Sequence, residues 1–396
     1  MQFPTQMIVL LFAILFIKLK SNVFREEICC YFDCRFVAPP PLNKIVSNYR
    51  IVSTHPMESV VSEIKISEYY RIKPSWYQDP LTTHNLDRKV QVDYNIEWLN
   101  CTYLVLRDTC VNRNFGLIYE NQFIVYPGQL GRDAGSGTIV GIYENVIALG
   151  HWYSECFGHW IYDTLVPLMV IPVEVRMSSH IIACQNRKLA KETLMILGFT
   201  EEQIIYIKSR EMVFGYQVHT VINPTTHLAH WSTALVNLSE LLRKRLNLSS
   251  NPPTKYVLMN RNLGMTRHIK NFADFVNEVK NQLPQYPWEI FPDPFPSVAE
   301  SAHQWNNVRV IFSPTGSNIV NMIFMRAGSA ICVAMGDKVP WPELAHAHIK
   351  SIHISGFSII GMKHFNQQSN PASIQIEAGI VALKRAIFAQ EHGYFE

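Results

Sequence analysis

An α/β fold made of two units facing one cleft is what this sequence predicts, and three observations carry that prediction. The chain of 396 residues exceeds the roughly 250–300 over which a single core usually grows, so two domains are expected. Short apolar runs alternate with amphipathic stretches of helical length from about residue 121 to residue 334. Parallel strands require crossover helices, so this alternation is the signature of parallel sheets.

The elements follow in order. Residues 1–20 form a leader, and 21–115, rich in Tyr, Asn and Pro with weak periodicity, read as a stem and irregular N-terminal extension. The first unit, 116–250, holds strand candidates at Phe123–Tyr126, Thr138–Ile142 and Asn145–Leu149, the first two separated by a Gly-rich turn from Gly128 to Gly137. A helix over Glu155–Val170 follows, then a strand at His180–Cys184, a helix over Lys188–Leu197 closed by Gly198, and a strand at Ile204–Ile207. A polar helix, Ser232–Leu246, ends the unit, and Ser249–Thr254 is the linker. The second unit, 255–360, has strands at Tyr256–Met259, Trp288–Phe291, Val308–Phe312 and Ile331–Ala334. Helices over Phe272–Gln282, Ser297–Trp305 and Asn318–Met325 connect them. Four strands with three crossovers make a Rossmann-like unit, and 361–396 is a C-terminal extension.

Composition narrows the function classes. A hydrophobic fraction of 48% against 17% charged residues is that of a packed globular protein. The net charge of +3, from 35 basic and 32 acidic residues without clustering, gives no nucleic-acid footprint. Met7–Ile17 is an uninterrupted apolar run, short for a membrane span and right for the apolar core of a signal peptide. No small-residue cleavage site follows it; Lys18, Lys20 and Arg25 do, so a short uncleaved anchor is the other expectation. Both put the chain in the lumen of the endoplasmic reticulum or Golgi, membrane-anchored if uncleaved and secreted if cleaved; the alternative to both is a buried N-terminal helix or strand. Sequons at Asn100, Asn237 and Asn247 are compatible with that compartment. Of the eight cysteines, Cys29, Cys30 and Cys34 cluster after the apolar run, and Cys101 and Cys110 are close enough in sequence to close a loop. Cys156, Cys184 and Cys332 stand in apolar settings that favour buried thiols.

Three segments are able to carry chemistry. Ser313-Pro314-Thr315-Gly316-Ser317-Asn318 leaves a strand and opens a helix, so its backbone N–H groups and the helix dipole suit a diphosphate. Taken alone it is also an ordinary capped turn. Arg261, directly after a strand, and Arg267, in the loop beyond with His268, supply guanidinium groups for charge developing on a leaving diphosphate. The third segment, Gly150 to Asp163, puts Glu155, His159 and Asp163 at four-residue intervals on one helix face, a base with a carboxylate to orient it; taken alone, such a helical His–Asp pair is more often a structural hydrogen bond. No Asp-x-Asp pair or clustered metal-ligand motif accompanies them, so no metal and no cofactor is expected.

Together the segments resemble glycosyltransferase family 61, which includes plant xylan arabinosyl- and xylosyltransferases and animal O-linked N-acetylglucosaminyltransferases of the endoplasmic reticulum. Cys156-Phe157-Gly158-His159-Trp160-Ile161-Tyr162-Asp163-Thr164-Leu165-Val166-Pro167 is similar to the family's Asn-x-Phe-His-Trp-x-x-Asp-x-Leu-Pro helix. Arg261 and Arg267 match its strand-end arginines, and Thr315 to Phe324 corresponds to its His-Gly-Ala-Gly-Leu-Thr-Asn-Met-x-Phe segment. Order and spacing agree over roughly residues 120–340. Thr315 stands where the family usually has His, Asn318 where it has Gly, and Val333 near where it often has Glu. The resemblance implies the two-domain fold called GT-B and metal-independent, inverting transfer of a sugar, UDP-linked in the leading reading, to a glycan or protein hydroxyl. His159 and Asp163 are then the catalytic candidates, and Arg261, Arg267, Thr315, Gly316, Ser317, Asn318 and Asn321 the nucleotide-sugar contacts. The departures give the alternative, a lumenal carbohydrate-binding protein or pseudoenzyme of the same fold.

Overall fold

The computed structural model describes residues 41–47, 49–70, 76–78, 97–126, 136–222, 232–336, 341–359 and 372–395. The leader Met7–Ile17, Cys29, Cys30, Cys34 and most of the Gly128–Gly137 turn lie outside them. Among the described residues no helix is long and apolar enough to cross a membrane. Residues 42–396 form one compact unit holding two β-sheets, so the expected α/β class is present.

The second sheet is parallel throughout and six-stranded, ordered Trp288–Phe291, Lys255–Met259, Val308–Pro314, Ala330–Met335, His353–Ser358 and Trp76–Gln78. Its four inner strands are buried almost throughout because both faces are covered, whereas the edge strand Trp288–Phe291 exposes Glu289 and Ile290. Helices Phe272–Gln282 and Ile376–His392 bury one face around Phe275, Phe312, Phe357 and Leu383. Val298–Asn306, Ser317–Phe324 and Trp341–Ile349 cover the other. Ser317–Phe324, expected as an α-helix, is a 3₁₀ helix. The strand order reverses direction at Lys255–Met259: the chain moves outward to Trp288–Phe291 and returns to the opposite side at Val308–Pro314. The carboxyl ends of these two strands therefore open a crevice, the usual ligand position in such a sheet.

The first sheet is ten-stranded and mixed. Its parallel part runs Ile204–Ile205, His180–Ile182, Gly137–Ile147 and Glu211–Ile222. The short candidates Thr138–Ile142 and Asn145–Leu149 are one strand, Gly137–Ile147. Helix Arg187–Leu197 is set by the Asn186 side chain, which accepts from the Leu189 N–H at 3.2 Å, and by Gly198 at φ 102°. Glu211–Ile222, which sequence patterning did not reveal, is central and buried almost throughout, so it lacks the alternation that marks a half-exposed strand.

The expected irregular extension is corrected for its described part. Val60–Tyr70 and the long strand Glu97–Asn112 pair antiparallel, and Glu97–Asn112 also pairs with Glu211–Ile222. Trp76–Gln78 adds the edge strand of the other sheet. Likewise the C-terminal extension carries Ile376–His392, a core helix whose Gly379 lies so near Phe275 that a Cβ would come within 2.8 Å of its ring. Cys101 and Cys110 share one strand, nine residues apart, so roughly 30 Å separates them and they cannot be joined to each other. Cys110, Cys156, Cys184 and Cys332 are free thiols; Cys156 is exposed, the others buried.

One apolar cluster runs from Leu149, Trp160 and Leu194 beside the first sheet to Val257, Ile311 and Val333 of the second. It holds the two candidate chemical regions side by side.

Candidate active site

The first region begins where Gly137–Ile147 ends. This strand has His180–Ile182 on one side and Glu211–Ile222 on the other, so its carboxyl end is another point where strand order reverses. Gly150, at φ 113°, turns the chain there, with Ser154 Oγ and Thr164 Oγ1 each 2.7 Å from where a Cβ would stand. His151 follows, is buried, and opens the short 3₁₀ helix Trp152–Glu155. The expected Glu155–Val170 helix is broken into this turn, Phe157–Trp160, a π-helical turn over Ile161–Leu165, and Val166–Leu168. Pro167 has no N–H for the Asp163 carbonyl four residues back, and its ring would crowd that oxygen. The wider π turn, in which the Val166 N–H bonds Ile161 O, relieves this.

His159 Nδ1 lies 2.9 Å from Asp163 Oδ2, the expected contact across one turn. His151 Nε2 lies 2.8 Å from the same oxygen, and sequence spacing did not signal it. The exposed Tyr153 ring stacks on His159, with centroids 5.6 Å apart. Hydrogen-bond partners decide the histidine tautomers. The Tyr153 N–H donates to His151 Nδ1 at 3.2 Å, so the His151 proton is on Nε2 and donates to Asp163. His159 donates from Nδ1, which places its basic lone pair on Nε2. The ligating atoms of His151, His159 and Asp163 lie within 4.8 Å of one another, a spacing suited to a metal ion. A metal on His151 Nε2 would demand that this ring lose its only proton while Nδ1 still accepts the Tyr153 N–H. The donor set therefore fits a hydrogen-bonded His–Asp–His centre better than a cation. Glu155, the third member of the expected helix face, is exposed and outside this centre.

The second region lies at the crevice of the six-stranded sheet. Asn260, one residue past the strand, clamps the loop: its Oδ1 accepts from the Arg261 and Ile269 N–H groups at 2.9 Å each, and its Nδ2 donates to Ile269 O. His268 Nδ1 donates to Arg261 O at 2.6 Å. Arg261 is 8% exposed, and its Nε lies 3.6 Å from Asp293 Oδ2. Nη1 is buried with no hydrogen-bond partner among the described residues. Arg267 adopts φ 68°, and burial, reinforced by the Arg261 charge, pushes its guanidinium down to about 10.

Both arginines converge on Gly316. A Cβ there would lie 3.0 Å from Arg261 Nη1, 3.1 Å from Asn318 Oδ1 and 3.2 Å from Arg267 Cζ, and φ is 142°, so only glycine suits the turn. Thr315 Oγ1 donates to Glu343 Oε1 at 3.3 Å. Glu343, on Trp341–Ile349, is 3% exposed. Burial pushes its carboxyl up, while its own backbone N–H, Arg267, Thr315 and Gly316 pull it back. Val333 is fully buried in its strand, so the carboxylate at this turn comes from ten residues further on. Asn318 Nδ2 donates to Ser313 Oγ at 2.6 Å, and its Oδ1 is buried without a partner among the described residues. Asn321, one turn along, donates to Asn318 O and accepts from Ser301 Oγ. Its amide is thus used inside the protein.

The two regions touch. A Cβ on Gly158 would meet Ser317 Oγ at 3.2 Å and Val320 Cγ2 at 3.3 Å. The Tyr162 hydroxyl is hydrogen-bonded to His346 Nδ1 at 2.7 Å. His159, Asp163, Arg261, Arg267 and Gly316 thus belong to one locality assembled from both sheets. Of the sequons, Asn100 lies within a strand, whereas Asn237 and Asn247 are exposed, on and just beyond the Ser232–Arg245 helix.

The family model described as Glycosyltransferase 61 matches residues 157–332. No curated protein matches the chain. The matched span contains His159, Asp163, both arginines and the Gly316 turn, and leaves His151 and Glu343 outside it.

Proposed function

We propose that this chain, a member of the glycosyltransferase 61 family and hence a glycosyltransferase, moves a sugar with inversion from a UDP-type donor to a glycan or protein hydroxyl. The observation that carries the donor site is Arg261, buried beside Arg267 over the Gly316 turn with donor atoms unused. Leaving buried guanidinium donors unpaired is costly, and a diphosphate supplies the missing acceptors. In the transfer, His159 Nε2 takes the proton of the acceptor hydroxyl as its oxygen bonds the anomeric carbon. The bond from that carbon to the diphosphate oxygen breaks, and the nucleoside diphosphate leaves with the electron pair. Arg261 and Arg267 meet the charge that grows on it. Asp163 holds the His159 ring in the required tautomer, and His151 holds Asp163. The exposed Tyr153 ring beside His159 offers a flat apolar face to an acceptor sugar.

Metal independence belongs to this reading, because two arginines do the work a cation would do. So does a GT-B type arrangement, with the acceptor against the first sheet and the nucleotide against the second. Location in the lumen of the secretory pathway completes it, supported by the apolar run at Met7–Ile17 and the exposed sequons Asn237 and Asn247.

Thermal melting of the chain with UDP, GDP and their sugar conjugates, with and without EDTA, tests the donor site. A nucleotide at about 100 times its dissociation constant adds roughly 2.7 kcal/mol. The expected result is stabilisation by one nucleotide class, insensitive to EDTA and lost in Arg261→Ala. Stabilisation by none, with no sugar-nucleotide hydrolysis, would favour a carbohydrate-binding protein in which Glu343 permanently occupies the turn.

A further inference from the structure

A diphosphate brings only hydrogen-bond acceptors, yet the turn that would hold it also presents acceptors. Glu343 uses one carboxylate oxygen on Thr315 Oγ1, while its other oxygen, Oε2, is buried with no hydrogen-bond partner among the described residues. Asn318 Oδ1 is in the same condition, beside Gly316 and both arginines. Turning the Asn318 amide over would set its oxygen against the Pro314 carbonyl and its NH2 group on the side of Arg261 and Arg267. Both side chains are more than nine-tenths buried. A buried acceptor left without a donor is destabilising, and a carboxylate most of all. Arg261 Nη1, a buried donor without a partner, lies at the same turn. The turn therefore offers donors and acceptors side by side, which matches a ligand that is part anion and part hydrogen-bond donor.

We propose that Glu343, with Asn318 Oδ1, determines nucleoside specificity at this turn by accepting hydrogen bonds from donor groups of the nucleoside attached to the diphosphate. The inference rests on the donor site proposed above. Two parts of a nucleoside have this chemistry, the vicinal hydroxyls of the ribose and the imino N–H of the base. The ribose adjoins the diphosphate and is the shorter reach. A bare diphosphate would gain nothing from Glu343 and would be repelled by it, so the carboxylate discriminates between a nucleotide and inorganic pyrophosphate.

The test is titration of the full chain with pyrophosphate, UDP, 2′-deoxy-UDP, 3′-deoxy-UDP and N3-methyl-UDP, for wild type, Glu343→Gln and Glu343→Asp. The glutamine keeps the shape and one acceptor but loses the charge; the aspartate keeps the charge and shortens the reach. Wild type is expected to bind UDP at least tenfold tighter than pyrophosphate, and both variants to lower that ratio at least tenfold while melting cooperatively. Loss of the excess with either deoxy ligand assigns the donors to the ribose, and loss with the N3-methyl ligand assigns them to the base. An unchanged ratio in both variants overturns the role of Glu343 and leaves the donor site standing. Failure of wild type to bind either UDP or pyrophosphate removes the donor site itself, and this inference with it.

Discussion

At the residue scale, the proposed reaction divides the work between the His–Asp–His centre on the acceptor side and the two arginines on the donor side. His159 is half-buried and bonds Asp163 through Nδ1, so its removal deletes the proposed base without opening the core. His159→Ala should lower kcat by about 10²–10⁴, the usual range for a general base, with little change in donor affinity. Steady-state kinetics with melting as a control checks this; unimpaired kcat in a folded variant would reject the role. Arg261→Ala should act the other way, weakening nucleotide binding at least tenfold, because charge-assisted hydrogen bonds contribute about 1.5–3 kcal/mol. The His159–Asp163 contact and the place of Arg261 just past a strand were legible in the sequence because spacing of four along a helix and position at a strand end are local properties. His151 and Glu343 were not. Each reaches its partner across a distance in sequence, twelve residues to Asp163 and twenty-eight to Thr315, that only folding closes.

At the scale of elements, the short helix Phe157–Trp160 and the 3₁₀ helix Ser317–Phe324 meet through Gly158 and Ser317. Gly158→Val places a branched side chain into a gap of just over 3 Å and should force these elements apart. The expected signature is a loss of kcat larger than the loss of stability, read by comparing kinetics with the melting midpoint. Gly198→Ala provides the contrast. It strains the left-handed C-cap of Arg187–Leu197, beside Arg245 and Met177 and outside both regions, and should cost about 1–2 kcal/mol of stability with kinetics unchanged. The helix Arg187–Leu197 was readable to within a residue from its cap glycine and periodicity. The segment after Glu155 was not, because Pro167 converts part of it to a π turn.

At the scale of the whole molecule, several histidines are buried in the uncharged form. Burial pushes His219 and His348 down to about 4, His346 well below its ordinary value, and His180 and His353 down as well. Their folded-state values lie below the unfolded value near 6.5, so the stability they contribute is complete above that pH. It is lost as pH falls below about 6.5, for His219 and His348 down toward 4 at up to roughly 1.4 kcal/mol per pH unit each while only the unfolded form binds the proton. Asp293 and Glu343, pushed up by burial, act in the opposite sense and offset part of the loss. The melting temperature should therefore drop between pH 7 and pH 5, and a flat profile would contradict this account. The chain also folds as more than its matched span. A fragment starting at residue 116 lacks Glu97–Asn112, which pairs with both Glu211–Ile222 and Val60–Tyr70, and Trp76–Gln78 from the other sheet. Such a fragment should fail to give a cooperative melt, whereas residues 42–396 should retain one.

By itself the sequence determined the α/β class, nearly every crossover of the second sheet, the resemblance to glycosyltransferase family 61 and the polar residues at strand ends. All of these follow from periodicity, caps and spacing within some twenty residues. Only the tertiary structure decided that the supposed extensions at either end are sheet and core helix. It also decided that one carboxylate oxygen serves two histidines and that Glu343 reaches the glycine turn. Pairing between distant strands and burial of lone polar groups depend on what lies across the core, and local sequence carries no record of that.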